Sequence, residues 1–459
     1  MEPFIDQDFI LETAKSVVVY GLSKVPIIGE VVSLLVSIFW PSPTQNVWEQ
    51  VRAEVEKLVD QKLSELVFDQ TKSKLNGAGQ ALKEYLNAVA SGSNPYIMQH
   101  FTACKVFFAG AGPEFQISSY EWVQAPLYAL FAQLHMSLLR DGALHGKDWG
   151  FDAAAHASMV SDFAQWEEKY NQDLLGVVSR QRQRLQSGAP TSLDGHRTNI
   201  YNYWQAFEEQ STMLIDDYRL LLHAYKMPQS HVVPFKDIYS RAYGTADNWD
   251  TVAQSMSGGT GAVGGPYSKP LSNFTSIYIE RFNFGPRIVD VRHPTNTGPQ
   301  VREGARVDEY GIIASRKTGV ETNTVTFPAS TTTKMFHVER AQVRAGSIPL
   351  TVNLYLDTGV EKPMWHNHTV SGGTTYNVAV SGRMLSTLNM WTHSTFYSNN
   401  LGCIIFGFSR DPIYIPPTVR HAIYVGTIGE PDTEIEPAPN AALRARRDAY
   451  RRSIEEASK

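Results

Sequence analysis

The sequence predicts a multidomain chain, helical first and antiparallel all-β second, with the helices bundled around one central apolar helix. Three observations predict it. Apolar residues recur at intervals of three and four from residue 1 to about 240, and Gly and Pro are sparse inside those periodic segments. From about 250 to 430 the composition turns to Thr, Val, Ile, Gly, Asn and Ser, in short apolar runs bounded by turn residues. Between the two, Tyr243–Gly265 carries Ser-Gly-Gly-Thr-Gly-Ala-Val-Gly-Gly, a turn-rich connection. The expected division is 1–245 helical, 246–430 all-β, and 431–459 a tail that is acidic and proline-rich, then Arg-rich.

Composition bounds the answer. A chain of 459 residues has room for two or three domains of roughly 100–200 residues each. With 42% hydrophobic and 19% charged residues it is neither disordered, collagen-like nor a coiled-coil rod. Forty-one Lys and Arg against 46 Asp and Glu leave a charge of −5, without the basic excess of a nucleic-acid binder. Two cysteines, Cys104 and Cys403, exclude a disulfide framework and a cysteine zinc site, and read as unpaired structural thiols. Met1–Phe9 is acidic and lacks the basic-then-apolar order of a secretory signal. No stretch reaches the ~18 clean apolar residues of a membrane span, so a water-soluble fold is expected.

The helical elements follow in order. Ile27–Trp40 is a nearly unbroken apolar run ended by Pro41, and Trp48–Leu66 is amphipathic. A glycine break is expected at Asn76–Gly79, then a short helix over Gln80–Ala90 and another over about Tyr96–Ala109. Ala125–Leu144 is apolar on every side, so it needs neighbours around its whole circumference, in a bundle or in lipid. Its length of about 30 Å matches a bilayer core. Phe163, Trp166, Tyr170 and Leu174 mark the face of the next helix; Trp204, Phe207, Leu214, Ile215, Tyr218, Leu221, Leu222 and Tyr225 mark that of the last. Amphipathic helices ringed around Ala125–Leu144 satisfy both requirements. Strands are expected at Ser276–Phe282, Ile288–Val291, Leu350–Leu356, Tyr376–Val380 and Cys403–Phe408, and a short helix at Ala441–Ser458.

These residues carry a resemblance. Ala125-Pro-Leu-Tyr-Ala-Leu-Phe-Ala-Gln-Leu-His-Met-Ser-Leu-Leu-Arg-Asp-Gly, running on to Trp149-Gly150, resembles the central helix of the insecticidal delta-endotoxins, the crystal toxins. Val25-Pro-Ile-Ile-Gly-Glu to Phe39-Trp40-Pro41, Trp48 to Leu75-Asn-Gly-Ala-Gly79 with Tyr85-Leu86, and Asp217–Tyr225 with Pro234–Tyr243 are similar to further parts of that family's first domain, in the same order. The resemblance implies a seven-helix bundle and a pore-forming role without catalytic residues or cofactor. It implies that a hairpin of about 94–112 and 125–146 enters the bilayer, with Phe107, Leu127, Leu130, Phe131, Leu134, His135, Leu138 and Leu139 as inserting residues. Implied partners are target-cell membrane lipid, a cell-surface receptor protein or glycan, and further copies in an oligomeric pore. Implied localisation is a soluble protein, stored in an inclusion or released by lysis, that acts at the target membrane. The β half resembles the family's β-prism only faintly, and about 190 residues are too few for its usual two β domains; a sandwich or another lectin-like fold stays open.

The remaining motifs are weak. Gly259-Thr-Gly-Ala-Val-Gly264 fits a dinucleotide pattern but neither follows a strand nor opens a helix. His366-Asn-His368 lacks a third metal ligand nearby, so no metal is expected. Asn273 and Asn367 head glycosylation sequons. Trp365, His366, His368 and Trp391 are the candidate receptor or glycan contacts, although aromatics there suit a sheet core equally. Gln133, His135 and Ser137 are polar residues on the apolar helix that would favour a pore lumen over lipid; Arg140 and Asp141 suit either a membrane interface or an ion pair within the bundle. The Arg-rich tail reads as a solvated face, a protease-accessible end or an anionic-lipid contact. A lectin-like binder with the helices as mere scaffold is the alternative function.

Overall fold

The computed structural model describes residues 10–23, 27–40, 47–59, 61–192, 194–195, 198–227, 233–245, 275–282, 285–292, 306–308, 311–313, 321–328, 338–356, 358–366, 371–380, 382–393 and 400–410. The glycine-rich connection, both sequons, His368 and the tail from 431 onward lie outside the described residues. Contacts divide the chain into two units: one takes Met1–Leu185 and Gln210–Phe235, the other Gln186–Glu209 and Lys236–Asp411.

The helices are α1 (Ile10–Leu22), α2 (Glu30–Phe39), α3 (Val47–Val59), α4 (Glu65–Ser91), α5 (Asn94–Ala111), α6 (Glu121–Trp149), α7 (Ala153–Gln186), α8 (Asn199–Ser211) and α9 (Asp217–Ala224). A π turn, Thr212–Asp216, joins α8 and α9 into one run, so eight helices are described against the seven expected. The extra one arises because α2 and α3 are separate segments, with Pro41 and Pro43 in the sequence between them. The sequence reading singled out no helix at α1, which is buried along most of its length.

The expected glycine break does not exist. α4 runs straight through Asn76–Gly79 from Ser64, whose hydroxyl caps the Val67 N–H at 3.3 Å. The glycines are there for space: a Cβ at Gly77 would stand 2.7 Å from the Phe107 ring, and one at Gly79 2.3 Å from Trp40. Close helix packing won over the small propensity loss.

Every residue of α6 from Glu121 to Gly142 is buried. Within the first unit α2, α3, α4, α5 and α9 all contact it. A charged cluster sits beside this core. Lys15 of α1, fully buried, pairs with Glu12 and with Asp217 at 3.0 Å, and donates to the Met213 carbonyl at 2.7 Å. That carbonyl lies in the π turn, where the usual helical ladder is interrupted. Glu54 of α3 accepts from the first amides of α1, Ile10 at 2.9 Å and Leu11 at 3.3 Å, which otherwise lack partners.

The second unit holds β1 (Ile238–Tyr239), β2 (Tyr243–Gly244), β3 (Ser276–Phe282), β4 (Gly285–Arg292), β5 (Arg306–Asp308), β6 (Gly311–Ile313), β7 (Glu321–Thr326), β8 (Val338–Ala345), β9 (Pro349–Leu356), β10 (Glu361–His366), β11 (Thr374–Val378), β12 (Arg383–His393) and β13 (Asn400–Arg410). One sheet runs β1-β13-β12-β8-β9-β10, with β11 beside β8 and β2 beside β13; the other runs β5-β6-β4-β3-β7. All pairings are antiparallel among the described residues. β12 and β13 lie against strands of the second sheet, so the two sheets pack on each other. α8 belongs to this unit: Tyr201 donates to the Ser240 carbonyl at 2.8 Å and Gln205 to that of Tyr239 at 2.8 Å.

Two outcomes check this packing. Leu134→Asp on α6 places an unpaired charge in a dry core and should cost about 3–5 kcal/mol in urea unfolding followed by Trp fluorescence. Val106→Asp on α5, where the side chain is 66% exposed, should cost less than about 1 kcal/mol. Glu54 is pushed up to about 7, mainly by burial, against its two amide hydrogen bonds. The folded state thus keeps a proton that the unfolded chain releases near 4.5, and its contribution to stability is lost as pH rises from there to about 7. Glu54→Gln should remove that slope from melting temperature measured against pH.

Candidate membrane-inserting hairpin and exposed sheet face

The α5–α6 hairpin carries the candidate inserting residues. Leu127, Leu130, Phe131, Leu134, His135, Leu138 and Leu139 are all buried on α6. Phe107 on α5 is half-buried over Gly77. The burial of α6 includes its polar groups, and several of them meet a partner on a particular neighbouring helix. Gln124 donates to the Thr71 hydroxyl of α4 at 3.0 Å. Tyr128 donates to Asp173 of α7 at 2.6 Å. Gln133 donates to the Tyr218 carbonyl of α9 at 3.0 Å, and its own carbonyl accepts from Tyr225 at 3.1 Å. Ser137 donates to the Leu134 carbonyl one turn back, at 2.8 Å. His135 Nδ1 and the Tyr170 hydroxyl of α7 share a 2.8 Å hydrogen bond, with the imidazole stacked on Phe108 and edge-on to Trp166. Four buried α6 atoms, Gln133 Oε1, His135 Nε2, His145 Nε2 and Trp149 Nε1, have no hydrogen bond among the described residues.

Asp141 does not pair with Arg140. One of its oxygens accepts from the Gly29 amide that opens α2 and from the Tyr85 hydroxyl of α4, both at 2.9 Å. Gly29 has φ of +74°, a left-handed conformation that suits glycine and turns its N–H toward the carboxyl. Arg140 is buried and joins no ion pair among the described residues. Glu121, in the first turn of α6, is held by Arg180 at 2.7 Å and Arg184 at 2.6 Å, both from α7. Among the described residues no helix is long and apolar enough to cross a membrane by itself.

The candidate contacts of the β unit separate. Trp365 is a correction: it is 4% exposed and faces inward. The register shifts between Pro363 and Trp365, which sets Trp365 opposite buried Val352 and His366 opposite Thr351 on the outer side. His366 is exposed, with Nδ1 2.9 Å from the Thr351 hydroxyl. Trp391 lies on β12 in register with Cys403, and His368 lies outside the described residues, so the four are not brought together as one described cluster.

The outer face around His366 is polar across four strands. Thr375, Arg344, Thr351 and His366 form one cross-strand row; Asn377, Gln342, Asn353 and Pro363 form the next; Arg340, Tyr355 and Glu361 form a third. Gln342 donates to Asn377 at 3.0 Å and Asn353 to Glu361 at 2.7 Å, while the Arg340 guanidinium lies 3.5 Å from the centre of the Tyr355 ring. The sequence reading missed Tyr355 and Arg340. Strict alternation along Pro349–Leu356, with Leu350, Val352 and Leu354 inward, was the signal that places Tyr355 outside.

The fold class is therefore a helical bundle with a sheathed central helix, joined in one chain to antiparallel sheets. Residues 17–225, the helical part of the chain, match the family described as delta endotoxin, N-terminal domain. The chain is 26% identical over 267 residues to pesticidal crystal protein Cry1Ia of Bacillus thuringiensis subsp. kurstaki, a match covering 53% of this chain and 35% of that relative. The chain thus spans about a third of that protein's length. Among solved structures, a Cry1Da tryptic core variant of Bacillus thuringiensis has the same fold at 16% identity and a TM-score of 0.59, covering 90% of this chain and 75% of that one. PirB has it at 13% identity and a TM-score of 0.63, covering 88% and 94%.

The two tryptophan-strand neighbours behave oppositely in a simple test. Trp365→Ala should lower stability by about 3–5 kcal/mol, as emptied aromatic core sites do. His366→Ala should stay within about 0.5 kcal/mol in the same denaturation measurement, as exposed positions do.

Proposed function

We propose that this chain is an insecticidal pore-forming toxin that binds a target-cell surface through its β unit and inserts the α5–α6 hairpin into the membrane. The observation that carries the reading is the unbroken burial of Glu121–Gly142. A helix hidden on every face exchanges one set of apolar neighbours for another when it moves from bundle to lipid. The match of residues 17–225 to the delta endotoxin N-terminal domain supports the same reading. In this reading the hairpin enters as one part of a homo-oligomer. Gln133 and His135 then face a hydrated lumen, where the atoms left over in the bundle gain partners. The activity needs no catalytic residue and no cofactor. The protein waits in soluble form, in an inclusion or released by lysis, and acts at the target membrane.

The polar outer face bearing His366, Thr351, Tyr355 and Arg340 is the proposed contact for a receptor protein or glycan. A binder whose helices are only a scaffold is the second reading, favoured by the finding that among the described residues no helix is long and apolar enough to cross a membrane.

Dye release from liposomes separates them. Lys105 of α5 and Asp162 of α7 form an ion pair. In a Cys104→Ser background, Lys105→Cys with Asp162→Cys should abolish release when oxidised and restore it on reduction. Surface binding without release from any lipid, target-cell membrane included, would leave the scaffold reading standing alone.

A further inference from the structure

Helix α7 differs from the other companions of α6. Its buried residues, Met159, Phe163, Glu167, Tyr170, Leu174 and Val177, form one narrow stripe along 34 residues. On either side of that stripe it reaches the hairpin through polar ties. Asp162 meets Lys105 of α5. Tyr170 meets His135 at 2.8 Å, and Asp173 accepts from Tyr128 at 2.6 Å and from Gln116 at 3.0 Å. Arg180 and Arg184 close on Glu121.

The two ends of α7 are unlike. Its start is covalently bound to the end of α6 through Gly150, which has φ of +102° and nothing within 4 Å of a Cβ placed there. Asp152 then caps the Ala155 amide at 2.8 Å. The far end depends on charge. Glu121 is nearly buried, whereas Arg180 and Arg184 are 53% and 51% exposed. Such arginines pass into water with little desolvation change, and ions in solution screen their attraction to Glu121. The ties nearer the middle, at Tyr128 and Tyr170, involve neutral donors in a less wetted seam.

We infer that α7 is a strap across the α5–α6 hairpin, hinged at Gly150 and buckled at Glu121 by Arg180 and Arg184, and that it opens from the buckle. Separation starts at the Arg184 end and runs back toward Gly150. The hairpin is freed from α7 before it is freed from α4 and α9, whose ties to α6 are neutral or buried.

Hydrogen–deuterium exchange on the full chain without lipid tests this. Raising salt from about 0.05 to about 1 M, which shortens the screening length severalfold, should speed exchange in peptides covering 178–186 severalfold and leave 153–158 unchanged. Glu121→Gln should show the high-salt pattern already at low salt. Should that variant fail to fold, Arg180→Gln with Arg184→Gln gives the same readout from half-exposed positions; the unchanged window is read over 153–158, ahead of the Asp162–Lys105 ion pair. Glu168→Gln, whose side chain bonds Gln172 on α7 itself, should behave as wild type. Equal response at both ends, earlier exchange near Gly150, or no response to salt and to the substitutions would overturn the inference. With no lipid present, the result bears on the strap and not on insertion.

Discussion

The full burial of α6 is the constraint on which the helical unit depends. An apolar rod is easy to hide, but this one carries Glu121, Gln124, Tyr128, Gln133, His135 and Asp141 within the hidden stretch. Each polar group left without a partner in a dry core costs about 1–3 kcal/mol. The bundle meets this by giving each a partner from a different direction: α4 for Gln124, α7 for Glu121, Tyr128 and His135, α9 for Gln133, and α2 with α4 for Asp141. These bonds fix how α2, α4, α7 and α9 are turned toward α6, which the non-directional hydrophobic effect does not do.

The same constraint gives the bundle a dual character. Its apolar contacts are of the kind lipid can replace, while its polar contacts hold it to specific neighbours. A bundle built this way is stable in water yet keeps its exits at identifiable places. Those places are where the ties are ionic and wetted, as at Glu121, rather than enclosed, as at Asp141.

The β unit rests on a different rule. Its outer and inner faces follow from alternation along each strand, and one register shift at Pro363 decides that Trp365 lies inside and His366 outside. The resulting outer surface of amides, hydroxyls and guanidinium groups is assembled from four strands that are neighbours in the sheet but not all consecutive in the chain, β11-β8-β9-β10.

Much of the helical unit was legible in the residues. The all-round apolar character of Ala125–Leu144 and the stripe Phe163, Trp166, Tyr170, Leu174 state what must be covered and by which face, because burial of apolar surface is encoded position by position. The strands Ser276–Phe282 and Leu350–Leu356 were legible for the same reason, as period-two patterns. Gly77 and Gly79 were misread because a glycine looks the same whether it ends a helix or makes room for Phe107 and Trp40; only the approach of those rings distinguishes the two. Between the two readings open for Trp365, surface contact and sheet core, the register shift at Pro363 decides for the core. The partners of Asp141 and Glu121 lie 112 and 59 residues away. Sequence by itself determined which surfaces needed hiding. Tertiary structure alone decided which distant donor meets which buried acceptor, since a hydrogen bond depends on distance and angle in space, not on separation along the chain.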